Sequence, residues 1–176
     1  MILIKSNDIF NLTKIENLFE QKKISITKDK SSRYFFELNL VFDKKQLRIS
    51  IPGELKFLKL PISFELFLSE IKKFYVNKFV RVGDLNYNPI KQSLSFNDNS
   101  INLNYIHNII MTYLTLNLDI GINKISLYKL IWPYDKDIQI NKLDTHITNL
   151  KNKVKEGLKI DLKIISSVGV IKLIIN

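Results

Sequence analysis

The chain has 176 residues, no cysteine, a formal net charge of +10 and 45% hydrophobic residues. This length allows one or two small domains with packed cores. The lack of cysteine excludes disulfides and thiolate metal sites. The opening MILIKSNDIF has too short an apolar run for a signal peptide, and no stretch approaches the ~20 apolar residues that span a membrane. We therefore expect a cytoplasmic protein with an anionic partner.

The positive charge is spread along the chain and comes almost entirely from lysine. The first 103 residues contain 17 Lys/Arg and 11 Asp/Glu, and the remainder contains 10 and 6. Only Arg33, Arg48 and Arg81 are arginines. An AT-rich genome also encodes abundant Lys, Asn and Ile, so the charge supports nucleic-acid binding without establishing it.

The chain opens with a predicted strand at 1–5 and a helix that Asn7 or Asp8 can cap. A second strand is predicted at 24–26. The apolar side of the helix, read from its spacing, contains Ile9, Leu12, Ile15, Leu18 and Phe19.

A hairpin and a second helix follow. Strands at 34–41 and 46–51 are predicted to pair across a turn at 43–45, and a further strand occupies 55–60. Pro61 and Ser63 favour the start of a helix that reaches about Tyr75. One side of this helix contains Phe64, Phe67, Leu68, Ile71 and Phe74.

Residues 1–78 resemble a shortened receiver domain of a response regulator. The first strand and helix correspond to the first β-α unit of a receiver, and Lys59-Leu60-Pro61 lies where receivers carry a Lys-Pro pair. A working receiver needs two acids after its first strand for Mg²⁺ and a phospho-accepting Asp after its third. Asn7-Asp8 supplies one acid, and Asp43 is predicted in a hairpin turn. We predict a degenerate α/β receiver-like domain without phosphorylation or metal, serving as a structural or dimerising module.

Residues 79–176 are predicted to form a second domain, which residues 77–80 join to the first without a Pro/Gly/Ser-rich linker. A small antiparallel sheet uses strands at 80–85, 93–96 and 101–103, with a turn at 97–99. A helix to about Leu116 has an inner face made of Tyr105, Ile106, Ile109, Ile110, Tyr113 and Leu114. A short helix from Ser126 is stopped by Pro133.

The most regular helical pattern is INKLDTHITNLKNKVK at 140–155. Leu143, Ile147, Leu150 and Val154 fall within roughly 60° of one another at ~100° per residue. The opposite face contains Asn141, Thr145, Thr148, Asn149 and Asn152, flanked by Lys142, Lys151, Lys153 and Lys155. Such a face suits a helix in a DNA major groove, where lysines meet phosphates and amides or hydroxyls meet base edges. The alternative is a solvated amphipathic helix.

The last apolar segment, 162–175, is broken at Ser166-Ser167-Val168-Gly169 and is predicted to form two strands around a turn. A helix, a turn, a longer helix and a β-hairpin make a winged helix-turn-helix. The predicted fold class is therefore α+β, with a C-terminal winged helix-turn-helix after a shortened α/β domain.

The C-terminal half resembles the DNA-binding domain of OmpR/PhoB-type response regulators. That family carries a Leu-x-x-x-Trp segment, then Val-Asp-Val-His-Ile-x-x-Leu-Arg-x-Lys-Leu, then a wing with a Gly-x-Gly turn. Here Leu143-Asp144-Thr145-His146-Ile147 and Leu150-Lys151-Asn152-Lys153-Val154 match the middle element, Trp132 matches the first, and Gly169 keeps one wing glycine. The family's arginine positions hold Thr148, Asn149 and Lys151.

The resemblance implies a bacterial transcription regulator that associates with the nucleoid, reads the major groove with helix 141–155 and uses the hairpin as a wing. The predicted DNA-binding residues are Asn141, Lys142, Thr145, Thr148, Asn149, Lys151, Asn152, Lys153, Lys155, Ser166, Ser167 and Lys172. Double-stranded DNA is the predicted partner, with RNA polymerase and a second copy of the N-terminal domain as further candidates. The rival hypothesis is a winged-helix protein-interaction module that has lost its arginines.

Catalytic and cofactor motifs are absent from the sequence. It contains no Walker loop, GxGxxG, nucleophile elbow or paired-carboxylate spacing. His107 and His146 are too few for a His-rich metal site, and His146 is predicted to pack at the edge of the buried stripe. Trp132 is predicted to be a core residue rather than a base-stacking platform. We therefore expect neither catalysis nor a cofactor.

Overall fold

A computed structural model describes residues 1–22, 24, 26–75 and 78–175. The chain forms two compact units, Met1–Lys78 and Phe79–Asn176. Within the described residues the fold is mixed α+β, with five helices and twelve strands. Ser25 of the predicted second strand and Asn77 of the predicted junction lie outside the described residues.

The first unit is a mixed sheet with two helices among its described residues. Its elements are β1 (Ile2–Ser6), α1 (Ile9–Gln21), β2 (Ile26–Thr27), β3 (Phe36–Phe42), β4 (Gln46–Ile51), β5 (Glu54–Lys59) and α2 (Phe64–Tyr75). The strand order is β2-β1-β3-β4-β5. β2 and β3 run parallel to β1, whereas β4 and β5 are added through antiparallel hairpins.

Both helices pack on one face of this sheet. Side chains alternate along strands, and the inward positions are fully buried apolar residues: Ile2, Ile4, Leu38, Leu40, Leu47 and Ile49. Tyr75 of α2 stacks on Phe36 of β3 with ring centroids 4.8 Å apart. The opposite face leaves Leu55 and Phe57 of β5 exposed.

Two expectations for this unit need correction, and a third observation concerns Asp43. Ile9, the first residue of α1, is 80% exposed rather than buried. β3 begins at Phe36, two residues later than expected. Asp43 does occupy a hairpin turn, but it also directly follows β3, a strand that runs parallel to β1.

The second unit contains two small antiparallel sheets and three helices in its described part. Its elements are β6 (Val80–Val82), β7 (Leu85–Asn88), β8 (Ser93–Phe96), β9 (Asn99–Asn102), α3 (Tyr105–Leu116), β10 (Ile122–Asn123), α4 (Lys124–Ile131), α5 (Ile140–Leu158), β11 (Ile164–Ser167) and β12 (Val170–Leu173). The sheet orders are β6-β7-β8-β9 and β10-β12-β11.

The predicted single strand at 80–85 is wrong, because the chain reverses at Gly83-Asp84. Gly83 has φ of 60°, which glycine adopts without a Cβ clash, and Val82 pairs with Leu85 across the turn. The strand that follows, β7, was not predicted. The turn at 97–99 is shorter than expected, because Asn99 already pairs with Phe96.

Helix α3 lies at the centre of the second core and is buried on more sides than its apolar spacing predicts. Ile109, Ile110 and Leu114 are buried as expected. Asn108 and Thr112 are also buried. The hydroxyl oxygen of Tyr87 lies 2.7 Å from Asn108 Oδ1 and 2.8 Å from Thr112 Oγ1, and it forms a hydrogen bond with each. Satisfied hydrogen bonds make this polar burial tolerable.

Candidate nucleic-acid interface

Helix α5 has one buried stripe and one exposed face, as its sequence predicts. Leu143, Ile147, Leu150, Val154 and Leu158 are buried, so the stripe continues one turn beyond the predicted end at Lys155. Gly157 permits close approach to the neighbouring sheet, because a Cβ there would lie 2.3 Å from Ile101 Cγ2. Lys159, with φ of 59°, ends the helix in a left-handed conformation.

The predicted base-reading side chains all lie on the exposed face: Asn141, Thr145, Thr148, Asn149 and Asn152. The Thr145 hydroxyl donates to the Asn141 carbonyl at 2.8 Å, which leaves its methyl group as the outward feature. Glu156 is also exposed, seven residues after Asn149 and so on the same face. Sequence reasoning missed this acid, although its spacing was visible.

The predicted phosphate-binding lysines fall into two groups. Lys151 and Lys153 are exposed, and neither forms an ion pair with another described residue. The Lys142 ammonium lies 3.0 Å from Asp135 Oδ2 and 4.2 Å from the centroid of the Trp132 ring.

Lys155 and Lys172 also have partners within the protein. Lys155 Nζ lies 3.2 Å from Asp161 Oδ1, in a solvated pair that contributes little. Lys172 Nζ donates to the Asp119 carbonyl at 2.6 Å, on the central strand of its sheet. Lys151 and Lys153 are therefore the most available of the predicted cations on α5.

A cluster of four rings, the Trp132 cluster, fixes α5 against α3 and α4. It contains Tyr128, Trp132, His146 and His107, with successive ring centroids 4.7, 5.5 and 6.0 Å apart. His146 is half-buried beside the buried stripe, as predicted, whereas Trp132 is half-buried rather than a core residue, because one face of its ring meets the Lys142 ammonium. Burial lowers the pKa of His107, and His146 and Lys153 lower it further through their charge.

Polar contacts reinforce the same junction. The Tyr128 hydroxyl donates to Asp135 Oδ2 at 2.7 Å, and this hydrogen bond raises the pKa of Tyr128. The hydrogen bonds from Tyr128 and Lys142 lower the pKa of the Asp135 carboxyl. A Lys124–Asp144 ion pair of 2.6 Å joins the start of α4 to α5. These contacts hold the exposed face in one orientation.

The last two strands form a tight hairpin that projects Val168 into solvent. Val168 and Gly169 have φ of 49° and 75°, and Ser167 pairs with Val170 across them. Two consecutive positive φ values are typical of a two-residue hairpin turn. Val168 is 99% exposed, and Ser166 and Ser167 are exposed beside it.

Strand β10, which precedes α4, ties this hairpin to the helices. It pairs with β12, and the Lys124 amide donates to the Gly169 carbonyl at 2.8 Å. At Gly121 an added Cβ would lie 2.7 Å from the Ile171 carbonyl oxygen. Three helices followed by a hairpin that pairs with a strand between the first two helices define a winged-helix fold.

No protein-family model and no curated protein sequence matches the chain. Among solved structures, the chain is similar to the DNA-binding domain of E. coli CadC, with 16% identity over 56% of this chain and 92% of that one and a TM-score of 0.48. It is also similar to a structure from a family of redox sensors in the streptococci that evolved from two-component response regulators. There the identity is 11% over 99% of this chain and 68% of that one, with a TM-score of 0.44.

Two absences among the described residues concern other kinds of site. None of the helices there is long and apolar enough to cross a membrane. In the same residues, no three or more His, Cys, Asp or Glu side chains are grouped so that they could hold a metal ion.

Proposed function

We propose that this protein is a bacterial, nucleoid-associated transcription regulator of the OmpR/PhoB type that binds double-stranded DNA. Helix α5 enters the major groove, and the β11–β12 hairpin contacts the adjacent backbone or minor groove. The observation that carries the proposal is the exposed Asn/Thr face of α5, bordered by Lys151 and Lys153 and backed by a fully buried stripe. In protein–DNA complexes, contacts to base edges specify the sequence and contacts to phosphates position the protein. The amides and hydroxyls of this face suit the first kind of contact, and the lysines suit the second.

The proposed contacts follow from the positions of the side chains. Asn141, Asn149, Asn152, Thr145 and Thr148 face base edges, and Lys151 and Lys153 meet phosphates. Ser166 and Ser167 of the hairpin donate to the backbone. Lys142, Lys155 and Lys172 contribute only after each releases its partner within the protein.

The first unit is proposed as a shortened receiver-like module that dimerises without phosphorylation. Its strand order β2-β1-β3-β4-β5 is that of doubly wound receivers. The last two strands are antiparallel, and two helices occupy one sheet face, so helices that a receiver places elsewhere are missing from the described residues. RNA polymerase is a further proposed partner of the second unit.

Selection of bound duplexes from a random pool by the full chain tests the DNA-binding proposal. We expect a consensus in which the positions read by α5 are A·T-rich, together with weaker, salt-sensitive binding to unrelated duplexes. Failure to enrich any sequence, with no retention on duplex DNA at low salt, would contradict the proposal.

The alternative function is a winged-helix module that docks a partner protein. The exposed apolar surface around the α4–α5 loop favours it, since Tyr134 is 96% exposed and Leu130 and Ile138 are also exposed. Salt-dependent retention on duplex DNA separates the two functions. If the chain is retained on duplex DNA, a Tyr134→Ala variant that keeps this binding but loses regulation in cells would assign the surface to RNA polymerase within the DNA-binding proposal instead.

A further inference from the structure

The first unit contains a cavity of about 540 Å³ between α1, α2 and the sheet. Ligand pockets typically occupy roughly 300–1,000 Å³. The cavity is open to solvent, since Lys14, Lys44 and Pro61 of its lining are exposed, and its volume lies within this range.

Apolar side chains from three directions form the interior of this cavity. Ile15 and Leu18 line it from α1, while Phe42 and Leu47, which pair across β3 and β4, form its floor. The segment after β5 contributes Leu60, Pro61 and Ile62.

Three phenylalanines hold the two helices at the back of the cavity. Phe64 and Phe67 of α2 line it, and the ring of Phe19 on α1 meets both edge-on, with centroid distances of 6.1 and 6.2 Å. Phe64 and Phe67 pack on each other at 6.2 Å. These contacts pack the two helices against each other beside the cavity.

The rim of the cavity is basic. Lys14 of α1 and Lys44 of the β3–β4 turn line it together with Asn11, whose side-chain amide donates to the Asp8 carboxylate at 2.8 Å. The lining itself includes no acidic residue. Both lysines are exposed, and neither forms an ion pair with another described residue. The Lys14 ammonium lies 4.1 Å from the centroid of the exposed Phe10 ring.

We propose that this cavity binds a small anionic amphiphile, such as a medium-chain fatty acid. The hydrocarbon part fills the apolar interior, and the acid group meets the ammonium groups of Lys14 and Lys44 at the rim. An apolar pocket with a few convergent polar groups is the usual form of such a site. The inference goes beyond the DNA-binding proposal, and its test contains no DNA, so each can fail without the other.

Calorimetric titration of the full chain with decanoate tests the site, at concentrations below those at which decanoate forms micelles. The matched probes are 1-decanol, which has the chain without the charge, and decylammonium, which reverses the charge. We expect decanoate to bind with 1:1 stoichiometry, decanol to bind several-fold more weakly, and decylammonium not to bind.

Two classes of variant locate the binding. Lys44→Ala should weaken decanoate about fivefold, the effect of losing one solvent-exposed ion pair. The control Lys45→Ala removes the neighbouring lysine, which does not line the cavity, and should bind normally. Lys44→Ala should leave the affinity for decanol unchanged.

Leu18→Trp fills the interior and should abolish binding of decanoate and decanol alike. Leu66→Trp, on the exposed side of α2 and outside the lining, is its control and should bind normally. If the circular-dichroism spectrum of Leu18→Trp shows that this variant does not fold, Ile62→Trp replaces it. Ile62 also lines the cavity but lies outside the helices, so its substitution by Trp fills the same space.

Three outcomes would overturn the proposal. The first is no heat of binding for decanoate with the unmodified protein. The second is equal binding to the folded filling variants, which would place decanoate elsewhere. The third is that the unmodified protein is a dimer, that Leu18→Trp dissociates this dimer, and that decanoate does not. In that case a second copy of the chain, rather than a fatty acid, would occupy the cavity.

Discussion

Single residues on the exposed face of α5 differ in what they offer a nucleic acid. Thr145 uses its hydroxyl on the Asn141 carbonyl and presents a methyl group, which suits the methyl group of thymine. Asn149 presents a primary amide near the centre of the exposed arc, and an amide pairs best with the N6/N7 edge of adenine. Glu156 extends the same face with a negative charge, which repels phosphate and favours contacts through the first part of the helix.

Asn149→Ala is expected to relax sequence preference at one base pair while leaving weak, salt-sensitive binding intact. Removal of one bidentate amide–adenine interaction corresponds to about 1–3 kcal/mol of discrimination. Selection from a random duplex pool measures the change. The control is Asn17→Ala, which removes an exposed asparagine of α1 in the first unit. A G·C-rich consensus, or an unchanged consensus and stringency for Asn149→Ala, would contradict this prediction.

His107 is expected to make the stability of the second unit fall as the pH decreases. Its pKa is lowered in the folded protein from the ordinary value of 6.5, mainly by burial. The unfolded chain therefore binds a proton first, and stability decreases from about pH 6.5 down to the lowered pKa. For one proton the slope is at most about 1.4 kcal/mol per pH unit.

Denaturant unfolding followed by the fluorescence of Trp132, the single tryptophan, measures this dependence between pH 7 and 5. His107→Phe keeps an aromatic ring but cannot titrate, so its stability should vary less over that range. The lowered pKa of Asp135 affects stability only at lower pH, where carboxylates are protonated. Equal slopes for the two proteins would remove His107 as the cause.

At the scale of elements, α5 is held by packing and ion-pair contacts on one side and carries solvated lysines on the other. The Trp132 cluster and the Lys124–Asp144 pair fix its orientation. Lys151 and Lys153 remain solvated on opposite sides of the exposed face. Long, solvated cations suit phosphate contacts, because they adapt to the backbone without specifying sequence.

Lys151→Ala with Lys153→Ala is expected to weaken binding to all duplexes about equally and to flatten its salt dependence. The slope of log K against log salt should change by roughly one unit for each phosphate that is no longer neutralised. Fluorescence anisotropy at several salt concentrations measures it. Lys22→Ala with Lys30→Ala removes the same charge from the first unit and should preserve the slope. A slope unchanged in the α5 variant would place both lysines outside the interface.

At the scale of the whole molecule, the first unit has the strand order of a receiver but not its acidic site. Asp8 caps α1, and the hydrogen bond from the Asn11 amide lowers its pKa. Asn7 bonds through its side chain to the backbone of Phe42 at the end of β3. Asp43 follows that strand, and its carboxylate accepts the Lys44 amide at 2.6 Å.

Acetyl phosphate with Mg²⁺ is therefore expected neither to label the protein nor to change its affinity for DNA. A receiver needs several acids around one Mg²⁺, whereas Asn7-Asp8 after β1 supplies a single acid, which caps α1. Intact-mass spectrometry after incubation measures labelling, with a phosphorylatable receiver in the same reaction as the positive control. A stable acyl-phosphate that disappears in Asp43→Asn would overturn the degenerate-receiver proposal.

Local sequence patterns were sufficient for the helices and for the face that α5 exposes. A spacing of three and four residues places Leu143, Ile147 and Leu150 on one side of any helix, whatever packs against it. Asn7 or Asp8 was predicted as the cap from residue type and position, and the structure shows that it is Asp8. The residues proposed to read bases follow from the same periodicity, because they are simply opposite the buried stripe.

Other features depended on contacts between residues distant in the chain. The buried Asn108 side chain forms its hydrogen bond with Tyr87, which lies 21 residues away in the sequence. The Lys172 ammonium donates to the carbonyl oxygen of Asp119, which lies 53 residues away. The two separate strands at 80–88 depend on a positive φ at Gly83, which residue spacing does not reveal. Cations that look equivalent on a helical projection are therefore distinguished only by their partners in the folded chain.

The cavity of the first unit is the clearest case of a property decided by tertiary structure. Its lining comes from α1, the ends of β3 and β4, the segment after β5 and α2. Each contributing stretch shows only ordinary amphipathic spacing. By itself the sequence determined which side chains each element turns toward a core. The volume left between them depends on how the two helices pack on each other and on the sheet, and in the folded unit the rings of Phe19, Phe64 and Phe67 make the contact between the helices.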